Sequence, residues 1–336
     1  MPCQHASELH GSLYSAVRLG SIDQVVSLRS SKLSIVILNS ALLTACLHGH
    51  AEVVRKLLEY GAHPESYNEP SFENKWVGGS ALAIAASRHH YRVIDILLDA
   101  GSTVNGTRGG TCALLGAIRT QKGYWGGDFE GSPPGSNDSL VKTVAVLLKR
   151  GADSNASDAS GTALGYCVGF SGTPLKVLDL LVQFGADVHD RSVLRRACGQ
   201  YTSTKYLKWL DKQSVSFSAT DDDSEPPFIE AVKSGKAKKV KFFLDRKGAA
   251  DLEWTNDSGH DVVGMLAAGC VHDYSETAEV IDCIMDSPQG KALNPARWKK
   301  AVDIAVAKNR VRQHTDYPQA MRIVALLRRA AGEAGT

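Results

Sequence analysis

Along this chain apolar residues recur in short bursts at helical spacing, and most bursts close on a glycine. The clearest example runs from Ser40 to His63. Leu42 and Ala45 fall at i, i+3 on one face of a helix that Ser40 is placed to cap, because its hydroxyl can accept an orphan backbone N–H. Gly49 breaks that helix. A second helix begins near Ala51, carries Val53, Val54, Leu57 and Leu58 on one apolar stripe, and stops at Gly61, where a left-handed backbone costs glycine least. Neither helix is long enough to be stable alone. The pair needs neighbours of its own kind.

Those neighbours are present. Ser80-Ala81-Leu82 with Ala85, Val93, Ile94, Leu97, Leu98 and Gly101 repeats the spacing. Cys112-Ala113-Leu114 with Ala117, Val144, Leu147, Leu148 and Gly151-Ala152-Asp153 repeats it around an insertion. Thr162-Ala163-Leu164 with Cys167, Leu178, Leu180, Leu181 and Gly185-Ala186-Asp187 repeats it again. A unit of about 33 residues built in this way resembles the ankyrin repeat, whose signature is a T-P-L-H box, a G-H turn and a V-V-x-L-L-L-x-x-G-A-D run. The box departs from that pattern, since its histidine slot holds Leu43, Ala83, Leu115 or Gly165. The resemblance implies an all-α solenoid of about eight or nine helix-pair repeats, with a concave groove that recognises a protein partner.

On this reading residues 1–336 form one array. Residues 1–39 are a degenerate N-terminal cap repeat (Leu13, Ala16, Gly20, Val25, Leu28), and residues 40–213 hold repeats two to six. In repeat six Gln213 stands where the stop glycine is expected. Residues 214–227, with Asp221-Asp222-Asp223, form an acidic finger and a possible joint. Residues 228–336 hold repeats seven to nine and a C-terminal cap, closed by helices over Trp298–Lys308 and Pro318–Ala331. The lysines of repeat seven, Lys233 to Lys247, are expected on the outer, solvated face of an amphipathic helix.

Two irregularities carry the candidate chemistry. The finger between repeats two and three, Tyr67–Gly79, is long and contains Trp76. An insertion in repeat four, Lys122–Ser139, contains Tyr124, Trp125, Asp128, Phe129 and Glu130. Aromatic residues are rare in segments that are merely disordered. Between the two loops, Ser87, Arg88, His89, Arg119, Thr120, Tyr166 and Phe170 are expected to be exposed on first helices. The candidate binding groove is therefore Tyr67, Trp76, Arg88, His89, Arg119, Trp125, Tyr166 and Phe170. The alternative is a pocket on the concave face of repeats three to five, closed by residues 67–79 and 122–139. It would hold an apolar small molecule, or serve an isomerase or cyclase type of enzyme without metal or nucleotide, with acid–base groups drawn from His89, Tyr124, Asp128, Glu130 and Tyr166.

Composition narrows the classes further. Net charge is +2 over 336 residues, so no global field commits the protein to nucleic acid. No phosphate-cradling glycine motif, H-E-x-x-H or C-x-x-C pair occurs, so no cofactor or metal is expected. The seven cysteines are an odd number; Cys46, Cys167 and Cys198 take small-residue positions of first helices, as buried thiols in a reducing compartment would. The first residues lack a basic head and apolar core, and no apolar run spans a bilayer. The expectation is a cytoplasmic or nuclear protein that is not secreted.

Overall fold

A computed structural model describes residues 2–28, 33–68, 79–107, 111–119, 136–169, 172–218, 225–246, 248, 250–269, 276–311 and 317–332, with backbone alone for 2–10, 68, 308–311 and 317–320. Two compact units emerge: residues 1–167 with 172–187, and residues 168–171 with 188–336.

The first unit is a stack of helix pairs. The pairs are α1 (Pro2–Leu19) with α2 (Ile22–Ser27), α3 (Ile35–His48) with α4 (Ala51–Glu59), α5 (Ala81–Ser87) with α6 (Tyr91–Asp99), and α7 (Ala113–Arg119) with α8 (Asn137–Lys149). Helices α9 (Ala163–Gly169) and α10 (Leu175–Gln183) follow. First helices pack in the order α1, α3, α5, α7, and second helices in the order α2, α4, α6, α8, α10. The apolar stripes meet between the two layers, where Leu42, Ala45, Leu57, Ala85, Leu97, Val144 and Leu147 are fully buried. Cys46 and Cys167 lie in the same layer, and burial pushes both thiols far above their ordinary value, so they pack as small hydrophobes.

Helix starts follow local capping chemistry, with one correction. Ser80 caps α5 as its spacing predicts, its Oγ accepting the Ala83 N–H at 3.2 Å. Ser40 does not cap α3. The run Ile35-Val36-Ile37-Leu38 extends that helix backward to Ser34, whose Oγ accepts the Ile37 N–H at 3.4 Å. Ser40 sits inside the helix, its carbonyl accepting the Thr44 hydroxyl at 3.0 Å.

At one edge of the stack, successive helix–helix turns are tied by histidines. His50 Nε2 donates to the Arg18 carbonyl at 3.1 Å, and His90 Nε2 donates to the Leu47 carbonyl at 3.1 Å. His89, in the slot of a turn glycine, holds a left-handed φ of 60° and donates Nε2 to the Ala117 carbonyl at 2.9 Å.

The opposite edge carries short hairpins. Strands β1 (Tyr67–Asn68) and β2 (Gly79–Ser80) pair antiparallel with Tyr67 opposite Ser80. Strands β3 (Ser157–Asp158) and β4 (Gly161–Thr162) pair with Ser157 opposite Thr162. Upstream of the fingers runs a series of asparagine ties. Asn105 donates Nδ2 to the Gly151 carbonyl at 3.0 Å and accepts the Asp153 N–H at 2.9 Å. Asn155 makes the same two bonds, at 2.9 Å each, to Gly185 and Asp187. One repeat earlier, Glu65 accepts the Thr103 N–H at 2.5 Å and supplies only the acceptor half.

The second unit is also built of helix pairs: α11 (Arg191–Cys198) with α12 (Thr204–Lys212), α13 (Pro227–Lys233) with α14 (Ala237–Leu244), and α15 (Val262–Ala268) with α16 (Thr277–Asp286). A short helix α17 (Pro288–Ala292) precedes a closing pair, α18 (Pro295–Val311) and α19 (Tyr317–Ala330). The left-handed stop after α12 is Ser214, at φ 59°, one residue beyond the Gln213 that the sequence pattern singles out. Lys239 departs from the solvated face expected for its neighbours. It is 1% exposed, in the slot that Val53 fills in α4, and its Nζ donates to the carbonyls of Cys198 and Gly199 and to Thr202 Oγ1. The ammonium thereby satisfies the last carbonyls of α11, and burial pushes its pKa down to about 8.

Among the described residues no helix is long and apolar enough to cross a membrane.

Candidate functional site

Of the groove residues and the acid–base candidates expected from sequence, Trp76, Tyr124, Trp125, Asp128, Glu130 and Phe170 lie outside the described residues, as does Thr120. The remaining five fall in three places. Tyr67 stands on the hairpin edge and is 44% exposed. Arg88 and His89 belong to the turn after α5, at the opposite edge. Arg119 and Tyr166 come together on a third residue, Asp158 of strand β3.

That cluster is compact. Arg119 Nη1 pairs with Asp158 Oδ2 at 2.7 Å, the Tyr166 hydroxyl donates to Asp158 Oδ1 at 2.7 Å, and the Ser160 N–H donates to the same oxygen at 2.8 Å. The Arg119 guanidinium stands over the Tyr166 ring, 5.4 Å from its centroid. Burial opposes ionisation of Asp158, but Tyr166, the Ser160 amide and Arg119 together hold the carboxyl below its ordinary value. Burial and the carboxylate push the Tyr166 hydroxyl up to about 12. Near neutral pH the carboxylate stays charged and the phenol stays protonated, so the pair is arranged as an anchor for the hairpin rather than to pass a proton.

Exposure corrects the sequence reading at three positions. Ser87, His89 and Tyr166 are expected at the surface and are buried. The Ser87 hydroxyl bonds back to the Ile84 carbonyl at 2.8 Å, His89 is drawn in by the Ala117 carbonyl, and Tyr166 is covered by Arg119 and the hairpin. A helical wheel places such residues on a first-helix face but does not show what the neighbouring repeat lays over them. Asp158 is the member sequence reasoning missed. Its signal is the Asp-x-Ser-Gly turn at 158–161, where a carboxylate can accept the amide two residues on.

Surface apolar groups gather elsewhere. Ile35 and Val36, in the first turn of α3, are 52% and 71% exposed, and α3 packs against the strand that bears Tyr67. In the second unit a shallow cavity of about 270 Å³ lies at the turn after α11, lined by Arg195, Gln200, Tyr201, Thr202 and Glu230 among others. Among the described residues no group of three metal-ligating side chains converges.

These features coincide with a known family. Residues 13–108 match the family model described as ankyrin repeats, in three copies, and over that stretch the chain is similar to ankyrin repeats. The matched segment includes the tied turns, the first hairpin and the exposed face of α3. No curated protein matches the chain significantly.

Proposed function

We propose that the protein is a binding scaffold whose ankyrin repeats hold a protein partner against the finger edge of repeats two and three. Ankyrin repeats are in general protein-interaction modules, and solenoids offer broad surfaces rather than deep sites. The observation that carries the reading is the exposure of Ile35, Val36 and Tyr67. These three large apolar side chains stay exposed on α3 and β1, two elements that are in contact. Large apolar groups held together at a surface mark interaction sites, and an aromatic ring among aliphatic neighbours is the composition that anchors partners.

The test is quantitative affinity purification of the tagged full-length protein against Val36→Asp and Tyr67→Ala variants, with circular dichroism as a check on folding. A partner recovered with the parent should be lost from both folded variants. An unchanged set of bound proteins would reject this face as the binding surface.

A further inference from the structure

Among the described residues of the second unit, the half-buried carboxylates are matched with one exception. Glu225 pairs with Lys233, Glu276 with Lys236 at 2.6 Å, Asp261 with Arg297 at 3.0 Å and Asp282 with Arg329 at 3.7 Å, while Asp190 accepts the Ser192 N–H at 2.8 Å. Glu230, in the first turn of α13, is half-buried as well, and its carboxylate takes no hydrogen bond or ion pair from any described residue. It lines the cavity of about 270 Å³ at the turn after α11. Arg195, exposed in the last turn of α11, lines the same cavity with Gln200 and Tyr201, and none of these three side chains is bonded to a described residue either. The Tyr201 ring is 78% exposed. Arg196 lies on the Gly169 side of the cavity, where a Cβ on that glycine would meet its Nη1 at 3.8 Å.

The wall that carries these groups is firmly held. Thr202 Oγ1 donates to the Ala197 carbonyl at 2.6 Å and to the Gly199 carbonyl at 2.7 Å, and the Thr202 N–H donates to Gly199 at 3.2 Å. The buried Lys239 ammonium directs its hydrogen bonds to Cys198, Gly199 and Thr202. It feels the charge of Glu230 through space but forms no ion pair with it. An unmet cation and an unmet anion are thus held on two directly packed helices, α11 and α13, at the rim of one cavity. Groups fixed in advance in this way lose little freedom when a ligand meets them.

We propose that this cavity takes two alternate side chains of an extended segment of a partner protein, an acidic one against Arg195 and a basic one against Glu230, with the Tyr201 ring packed on the segment. Alternate residues of an extended chain lie about 7 Å apart on one face. Packed helices lie about 8–10 Å apart, a difference that long side chains span. The cavity is shallow and falls below the range of about 300–1,000 Å³ in which small molecules are enclosed. A nucleic acid would bring its phosphates against Glu230. Exposed Tyr and Arg side chains beside a recess are the types that anchor protein partners. The proposal shares one premise with the scaffold reading, a protein ligand, and none of its residues.

The probes are end-blocked pentapeptides with one common fluorescent label, titrated into the full-length protein at fixed low salt and followed by anisotropy. Gly-Glu-Gly-Lys-Gly and Gly-Lys-Gly-Glu-Gly carry opposite charges two positions apart, and Gly-Glu-Gly-Glu-Gly and Gly-Lys-Gly-Lys-Gly carry like charges. At least one of the first two should bind on the order of tenfold more tightly than either like-charged peptide, because a like charge set against Arg195 or Glu230 is penalised. Arg195→Gln should erase the margin over the dilysine peptide alone, and Glu230→Gln the margin over the diglutamate peptide alone. Loss of folding cannot produce that crossed pattern, and circular dichroism of each variant should match the parent's. Tyr201→Ala, at an exposed position, should weaken all four peptides about fivefold without changing their order. No binding up to about 1 mM, equal binding of the four peptides, uncrossed effects of the two charge variants, or displacement by free glycine more readily than by blocked peptide would each overturn the proposal. Val36→Asp and Tyr67→Ala should leave peptide selectivity unchanged. If they also keep every bound protein, the finger-edge reading falls while this one stands; if they lose the partner and no peptide binds, this one falls alone.

Discussion

The ring of His90 occupies the space that a side chain on Gly49 would need. A Cβ built on Gly49 would lie 2.5 Å from His90 Nδ1, and one on Gly20 would lie 2.6 Å from His50 Nδ1 in the same way. Each turn glycine is thus required twice, by its own left-handed backbone and by the histidine of the following repeat.

Gly49→Ala should therefore cost more than its backbone alone. Gly61 supplies the comparison, with a left-handed φ of 96° and open space where a Cβ would go. Gly61→Ala should lose about 1–2 kcal/mol, the penalty of a side chain in that conformation. Gly49→Ala should lose that and roughly 1–3 kcal/mol more as the His90 ring is displaced. Urea denaturation of both variants gives the comparison, and equal losses would show that the ring moves freely.

Stability should fall on mild acidification. Burial and neighbouring cations hold His48 and His90 below their ordinary value, the Leu47 carbonyl only partly offsetting this at His90. The unfolded chain then binds more protons than the folded one, so stability rises with pH. The contribution is fully present above about pH 6.5, the ordinary imidazole value, and is lost as the pH falls below it. Denaturation midpoints between about pH 7.5 and about pH 5.5 should decline in the parent and decline less in His90→Gln. Parallel curves would assign the decline to other groups.

The asparagine ties predict a graded series. Asn105→Ala removes a donor to Gly151 and an acceptor from Asp153, and should cost about 1–2 kcal/mol. Asn105→Asp keeps the acceptor and loses the donor, which is the arrangement Glu65 already provides, so its loss should be smaller. Urea midpoints read the order directly.

Lys239→Met keeps the length of the side chain and removes its donors. The carbonyls of Cys198 and Gly199 and the Thr202 hydroxyl then lose a partner, while a buried charge is also removed. The first effect should prevail, because unmet buried acceptors cost about 1–3 kcal/mol. A lower melting temperature is the expected result; a higher one would mean that desolvating the ammonium outweighs its hydrogen bonds.

What the sequence made legible was whatever periodicity controls. Spacing alone located Gly49, Gly61, Gly101 and the apolar layers around Leu42, Leu57, Ala85 and Leu97, because those positions answer to one helix and its turn. Spacing does not fix the start of α3, because a helix start depends on how far the apolar run extends upstream, and Ile35 to Leu38 carry it back to Ser34. Nor does it show that Tyr166 and His89 are buried, because a single repeat does not show what its neighbour covers. Asp158 goes unmarked and Lys239 reads as solvated for a related reason: their partners lie 39 and 41 residues away, at Arg119 and Cys198. A repeat pattern marks residues that recur, and these two occur once.

The hairpin bases behave like a doorway of constant width. The Ala81 N–H closes on the Ser66 carbonyl at 2.8 Å, and the Ala163 N–H closes on the Ala156 carbonyl at the same 2.8 Å, although the first closure spans about twice as much chain. Doubling a flexible loop adds only about 0.6 kcal/mol. The stack is thus indifferent to what is threaded through the opening. Foreign segments could be spliced between Asn68 and Gly79 and selected for new targets, while the repeats beneath keep their register.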